Sequence, residues 1–200
     1  IIMLNGTNFI DGLNGLIISY SLIIIFILYR LNLINLFFSD INLLFIIVTL
    51  LSLIILNCYN KLFMGDSGSY LLGFLVGYIL VRIYIINPSI SPYFIALLLW
   101  YPAFETFFSI IRKLKTRKSP IKPDGEHLHM LSYKILNFKK PGKDCNYFNS
   151  LLINLIYCLF VLPSILVKEN GTICKYWFFG LIVIYLLAYF RLNSFVKKKI

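Results

Sequence analysis

The run Ile41-Asn-Leu-Leu-Phe-Ile-Ile-Val-Thr-Leu-Leu-Ser-Leu-Ile-Ile-Leu56 carries no charge and only three polar side chains. It is one of six such segments, the others lying near Leu13–Tyr29, Ser69–Ile86, Tyr93–Ile111, Leu151–Val167 and Tyr176–Phe190. A helix needs about 20 apolar residues to cross roughly 30 Å of hydrocarbon, and helices satisfy their own backbone groups there. The remaining composition agrees: 60% of residues are hydrophobic, 14% are charged, and the mean hydropathy is +0.84. A soluble domain has an apolar share near half and a charged share of about a quarter. The expected fold is all-α, a polytopic membrane protein of about six transmembrane helices, with residues 1–200 forming a single membrane-embedded region.

The connection 112–149 is the only long one, and it holds ten of the 19 Lys and Arg residues. The positive-inside rule makes it cytoplasmic, and alternation then puts 1–12, 57–68 and the tail from Arg191 on the same side. Fifteen of the 19 cations fall on that side, leaving Arg30, Arg82, Lys168 and Lys175 at or near the other. Topology and anionic headgroups therefore explain the net charge of +11 without a nucleic-acid partner. Asp11, Asp66, Asp124, Glu126 and Asp144 share the basic side, as do His127 and His129, and Glu105 stands in the last turns of the fourth span. Scarce carboxylates and histidines gathered on one membrane face suggest a polar site there. The four cysteines lack CxxC spacing and read as buried or idle thiols. Ile1, followed at once by a polar stretch, suggests a fragment of a longer chain.

Three stretches carry the chemistry. In Asn5-Gly-Thr-Asn8-Phe-Ile-Asp11-Gly-Leu-Asn14-Gly15, two amides and a carboxylate recur at intervals of three, so at helical spacing they share one face. Helix capping would account for Asp11 or Asn14, but capping needs one such residue. Lys61-Leu-Phe63-Met-Gly65-Asp66-Ser-Gly68-Ser69 precedes the third span. A helix amino end offers N–H groups to phosphate, and a carboxylate there can hold Mg²⁺. A tight turn with a cap is the plainer reading of the same residues. In the basic loop, Lys122-Pro-Asp124-Gly-Glu126-His127-Leu-His129 contains a proline, which favours extended backbone with both imidazoles on one side. With Arg112 and Lys122 near in sequence, phosphate recognition is the expectation, and histidine-bound metal is the alternative.

Taken together and in order, these residues resemble the polyprenyl-phosphate N-acetylhexosamine-1-phosphate transferases, the glycosyltransferase family 4 enzymes that begin peptidoglycan lipid, O-antigen and teichoic-acid linkage synthesis. The first stretch looks like that family's NxxNxxDGLDGL, the second like its FMGDTGS, and the third like its PxDxxHxHH-type loop. The resemblance implies transfer of a sugar-1-phosphate from a UDP-sugar to undecaprenyl or another polyprenyl phosphate, with release of UMP. It also implies Mg²⁺, or Mn²⁺ in its place, and a multi-pass location in a bacterial inner (plasma) membrane with the active face cytoplasmic. Carried over by motif position, Asp66 holds the metal with Asn8, Asn5 and Asp11 order the nucleotide-metal site, and Asn14 lies beside them as a substrate contact. Phe63 stacks on uracil, and Lys122, His127 and His129 contact phosphates or sugar. The expected partners are the UDP-sugar, the lipid phosphate and the membrane, with a homodimer left open.

Several features depart from the family pattern. No Asp-Asp pair occurs in the chain, about six spans stand where the family has ten or eleven, Asn14 replaces the second Asp of DGLDGL, and Met130 takes the third histidine position. The sequence is thus expected to be the C-terminal part of such an enzyme. Two rivals remain: a noncatalytic or incomplete relative serving as a membrane subunit, and a transporter. A transporter places its polar groups near the bilayer midplane, whereas the spans here hold only Arg82 and Glu105, toward their ends. Glu105 either borders the site or pairs with Arg112.

Overall fold

The computed structural model describes residues 2–117, 119, 124–141 and 145–199, all helix and connecting turns, with no strand among them. The α-helices are α1 (Ile2–Ile10), α2 (Leu16–Arg30), α3 (Asp40–Cys58), α4 (Gly65–Ile86), α5 (Pro92–Lys115), α6 (Leu128–Lys139), α7 (Asn146–Val161) and α8 (Gly171–Lys199). Helices α3, α4, α5, α8 and the 22 residues of α7 with the 3-10 turn that continues it are long and apolar enough to span a bilayer. The 15-residue α2 is apolar but shorter, about 22 Å at 1.5 Å per residue. The chain is a polytopic membrane protein, and the six expected spans appear in order.

Local chemistry sets the helix ends. Ser39 and Ser91 cap α3 and α5, their hydroxyls accepting from the N–H groups of Asn42 and Tyr93, and Pro92 follows at the position where a missing N–H costs nothing. Pro102 inside α5 cannot donate to the carbonyl of Leu98, four residues earlier. Tyr20 of α2 and Tyr157 of α7 donate to that oxygen instead, at 2.8 and 2.7 Å. Two neighbouring helices thus satisfy a backbone group that lipid cannot. Large side chains along α3, such as Phe45 and Leu44, remain exposed, as suits a helix whose outer face meets hydrocarbon.

Two features depart from the sequence expectation. The opening residues are not a connection at the membrane surface. They form α1, which packs between α4 and α5. Met3 lies against Gly77, 12 residues or about 18 Å along α4 from its start, so α1 rises from within the bundle toward the end of α4 that bears Asp66. Close approach requires glycine. A Cβ at Gly6 would strike the Pro102 carbonyl, and one at Gly73 would overlap the Thr7 side chain. The second correction concerns the histidine segment, which is not extended throughout. His127 has extended dihedrals, but His129 already lies in α6. The bend still leaves the two imidazole rings stacked, 5.6 Å apart and 14° from parallel.

Candidate active site

The ends of α1, α3, α4 and α7 converge on one membrane face, together with the turn that leads into α2. A cavity of about 340 Å³ opens there, lined chiefly by polar groups from Asn8, Asp11, Asn14, Asn57, Asp66 and Asn146, with Phe63 at its mouth. The first two sequence stretches therefore meet, as the resemblance implies. Asn8 donates through Nδ2 to Asp66 Oδ1 at 2.7 Å and approaches Ser69 Oγ at 3.3 Å, which fixes the carboxylate in the first turn of α4. Gly65 begins that helix at φ 64°, a left-handed conformation that glycine adopts without strain. Phe63 is 75% exposed, a bare ring on the rim.

Burial, reinforced by the charge of Asp66, pushes the Asp11 carboxyl up to about 7. Two carboxylates thus share a cavity that stabilises negative charge poorly on its own. No group of three His, Cys, Asp or Glu residues able to hold a metal occurs among the described residues. Mg²⁺ needs no such cage, since it binds one or two carboxylates and completes its shell with water and substrate phosphates. Asp66, Asp11 and the amide oxygen of Asn8 are hard oxygen donors of that kind, and a dication would relieve the strain that raises Asp11. The residues present fit the ion.

Asparagines that the sequence did not single out hold the cavity together. Asn57 accepts from the Gly15 N–H and donates to the Leu62 carbonyl at 2.7 Å, tying the α1–α2 turn to the segment before α4. Asn146, at the start of α7, accepts from the Asn14 N–H at 2.7 Å. Asn14 is itself buried, and its amide donates to Asn60 Oδ1 at 2.6 Å. A buried asparagine in a polytopic chain is the available sequence signal for such brackets, since lipid offers it no partner.

The other expected residues lie elsewhere. Asn5 is exposed on α1 one turn before Asn8 and does not line the cavity. Lys122 lies outside the described residues. His127 and His129 are buried against the end of α1, where the His127 ring lies 5.5 Å from Phe9 and His129 Nε2 adjoins Gly12. His127 Nδ1 is 3.0 Å from Glu105 Oε1, and Nε2 is 3.5 Å from Asp124. Burial carries His129 down to about 4, against the pull of Glu105, so its ring is neutral near pH 7. Burial raises Asp124, but the hydrogen bond and charge of Arg112, helped by His127 and Lys113, hold it below the usual carboxylate range. Arg112 also pairs with Glu126, so it is not the partner of Glu105.

The profile of glycosyl transferase family 4 matches residues 1–84, the region that contains Asn8, Asp11, Phe63 and Asp66. Over these residues the chain is similar to that family. Among its relatives, it is 26% identical over 202 residues to the "Probable undecaprenyl-phosphate N-acetylglucosaminyl 1-phosphate transferase" of Bacillus subtilis, which covers 98% of this chain and 53% of that protein. It is 32% identical over 143 residues to the undecaprenyl-phosphate alpha-N-acetylglucosaminyl 1-phosphate transferase of Thermotoga maritima (68% and 42%), and 27% identical over 158 residues to the Escherichia coli protein of the same name (74% and 38%). The chain thus spans about half or less of the length of these curated relatives. No solved structure matches it. The profile covers every residue that lines the polar cavity except Asn146 and stops before the histidine segment.

Proposed function

We propose that this chain forms part of an enzyme that transfers a sugar-1-phosphate, an N-acetylhexosamine-1-phosphate by the resemblance, from a UDP-sugar to polyprenyl phosphate on the cytoplasmic face of a bacterial plasma membrane. The observation that carries the reading is the pairing of Asp11 and Asp66 with the amino end of α4 in one polar cavity at a membrane surface. The named activities of the relatives support it.

In the reaction, an oxygen of the lipid phosphate attacks the sugar-bearing phosphorus, and the bond from that phosphorus to the bridging oxygen breaks. UMP leaves with the electron pair. Such a transfer needs alignment and charge neutralisation more than covalent help. Mg²⁺, when bound, supplies the positive charge that the diphosphate requires. Asp66 and Asn8 would hold it, with Asp11 alongside, while first-turn N–H groups of α4 face phosphate oxygens. Phe63 offers its exposed ring to the uracil. His127 and His129 pack against Phe9 and Gly12 at the end of α1 and so shape the site.

The test uses the complete reading frame, expressed in membranes and assayed for UMP release from UDP-GlcNAc and other UDP-sugars with undecaprenyl phosphate and Mg²⁺. Lipid-dependent release that Asp66→Asn abolishes, with folding retained, is the expected result. No release with any UDP-sugar from folded protein would overturn the reading.

A further inference from the structure

Glu105 stands 10 residues before the end of α5 and is 1% exposed. Three groups from two segments converge on it. The Tyr185 hydroxyl of α8 donates to Oε2 at 2.6 Å, the Leu128 N–H in the first turn of α6 donates to Oε1 at 3.2 Å, and His127 Nδ1 meets Oε1 at 3.0 Å. A carboxylate in this setting is costly to bury, and a packed apolar side chain of the same size would generally serve stability as well or better. What the carboxylate adds is a fixed anchor for the loop.

That anchor leads back to the cavity. His127 packs against Phe9, which is flanked in sequence by Asn8 and stands two residues before Asp11. His129, stacked on His127, fills the space beside Gly12: a Cβ there would lie 3.0 Å from its Nε2. Asn149 Nδ2 holds the His129 carbonyl at 2.9 Å, so α6 is pinned from α7 as well. On the outer side, Arg112 grips Asp124 and Glu126 of the same loop.

We infer that Glu105 and Tyr185 form a latch between α5 and α8 that clamps the histidine segment and α6 against the end of α1, making Glu105 a positioning residue for Asn8 and Asp11. Its activity arm rests on the transferase reading above, and its structural arm does not. The atoms suggest a discriminating pair of variants. In Glu105→Gln, Oε1 still accepts from both Leu128 and His127, and the new amide donates to the Tyr185 oxygen, so the latch survives. In Glu105→Leu, every acceptor is lost while volume is kept.

The experiment compares hydrogen exchange in the full-length protein in lipid nanodiscs, with Tyr185→Phe as a milder third variant. Glu105→Leu should speed exchange by about tenfold or more in peptides covering residues 127–135 and 8–13, leaving α3 unchanged, while Glu105→Gln stays within about twofold of the parent and Tyr185→Phe falls between. In the UMP-release assay, Glu105→Leu should lower kcat by about tenfold or more with KM for the UDP-sugar little changed, and Glu105→Gln should restore kcat. Unchanged exchange in Glu105→Leu, or a rise spread evenly over the bundle, would overturn the latch. A parent protein that releases no UMP would refute the transferase reading, and the exchange data would still decide the latch.

Discussion

The raised Asp11 carboxyl yields a pH dependence whose size and sign follow from the cavity. Its pKa rises from 3.8 to about 7, with burial the larger cause and Asp66 the second. Above pH 3.8 the unfolded chain releases this proton while the folded protein keeps it, so stability falls as pH rises from about 4 to 7 and levels off beyond. Between pH 5 and 8 the folded state is disfavoured by about two pH units of this linkage, or about 2 kcal/mol once solvent screening of a half-buried group is allowed for. His129 works in the opposite sense: with its value down at about 4, stability rises with pH between about 4 and 6.5. Comparison with Asp11→Asn cancels that contribution. Without divalent cations, Asp11→Asn should gain on the parent by roughly 4 to 8 °C in apparent Tm between pH 5 and 8, at 2 to 4 °C per kcal/mol. Asp66→Asn should recover less than half of that gain, because burial outweighs the neighbouring charge. Millimolar Mg²⁺ should shrink the gap between the parent and Asp11→Asn. The assay is a thermal scan of the detergent-solubilised protein at fixed scan rate. A gap that is independent of pH, or indifferent to Mg²⁺, would refute the claim that Asp11 and Asp66 share one field and one ion.

Other perturbations test the packing and the brackets. Tyr20→Phe and Tyr157→Phe should each cost well under about 1 kcal/mol, because the remaining hydroxyl still serves the Leu98 carbonyl, whereas the double variant orphans it and should cost about 1–3 kcal/mol, a non-additivity that a thermal double-mutant cycle reads directly. Gly6→Ala should destabilise the bundle by about 1–3 kcal/mol by pushing α1 off the Pro102 carbonyl, while Gly180→Ala, with open space around it, should be neutral or slightly stabilising in the same thermal assay. Asn14→Asp places a third carboxylate in the cavity, and rotation of the Asn60 amide restores the hydrogen bond between them. The half-saturating Mg²⁺ concentration for UMP release should therefore fall.

The apolar runs made the bundle legible, because a hydrocarbon-spanning helix declares itself by length and composition alone. The cavity was half legible. Asn8, Asp11 and Asn14 stood out by spacing, Asp66 by its place just before a span and Phe63 by the family resemblance, and the fold brings them together. Helix α1 was hidden because nine residues containing glycine and two asparagines have little intrinsic helical preference. What makes it a helix is its position between α4 and α5, and the small residues that permit this, Gly6 and Gly73, lie 67 positions apart. Helix α6 was masked by the proline before it and by the polar character of the loop. The role of Glu105 was invisible for a related reason: its three partners lie 22, 23 and 80 residues away.

The Asn14 departure shows how such distant partners change the meaning of a motif. Read alone, Asn in place of the family's second Asp suggests a weakened site. In the fold, Asn14 faces Asn60, whose φ of 56° puts it in the left-handed region that asparagine tolerates better than most residues. The amide donates where an aspartate at 14 would need Asn60 to rotate. The Asn14 backbone is held by Asn146 and the next N–H by Asn57. The substitution thus belongs to a set of mutually satisfied amides that close one wall of the cavity, while both carboxylates and Asn8 keep their places on the other. The sequence change shifts a hydrogen-bond polarity and leaves the oxygen donors suited to a dication intact.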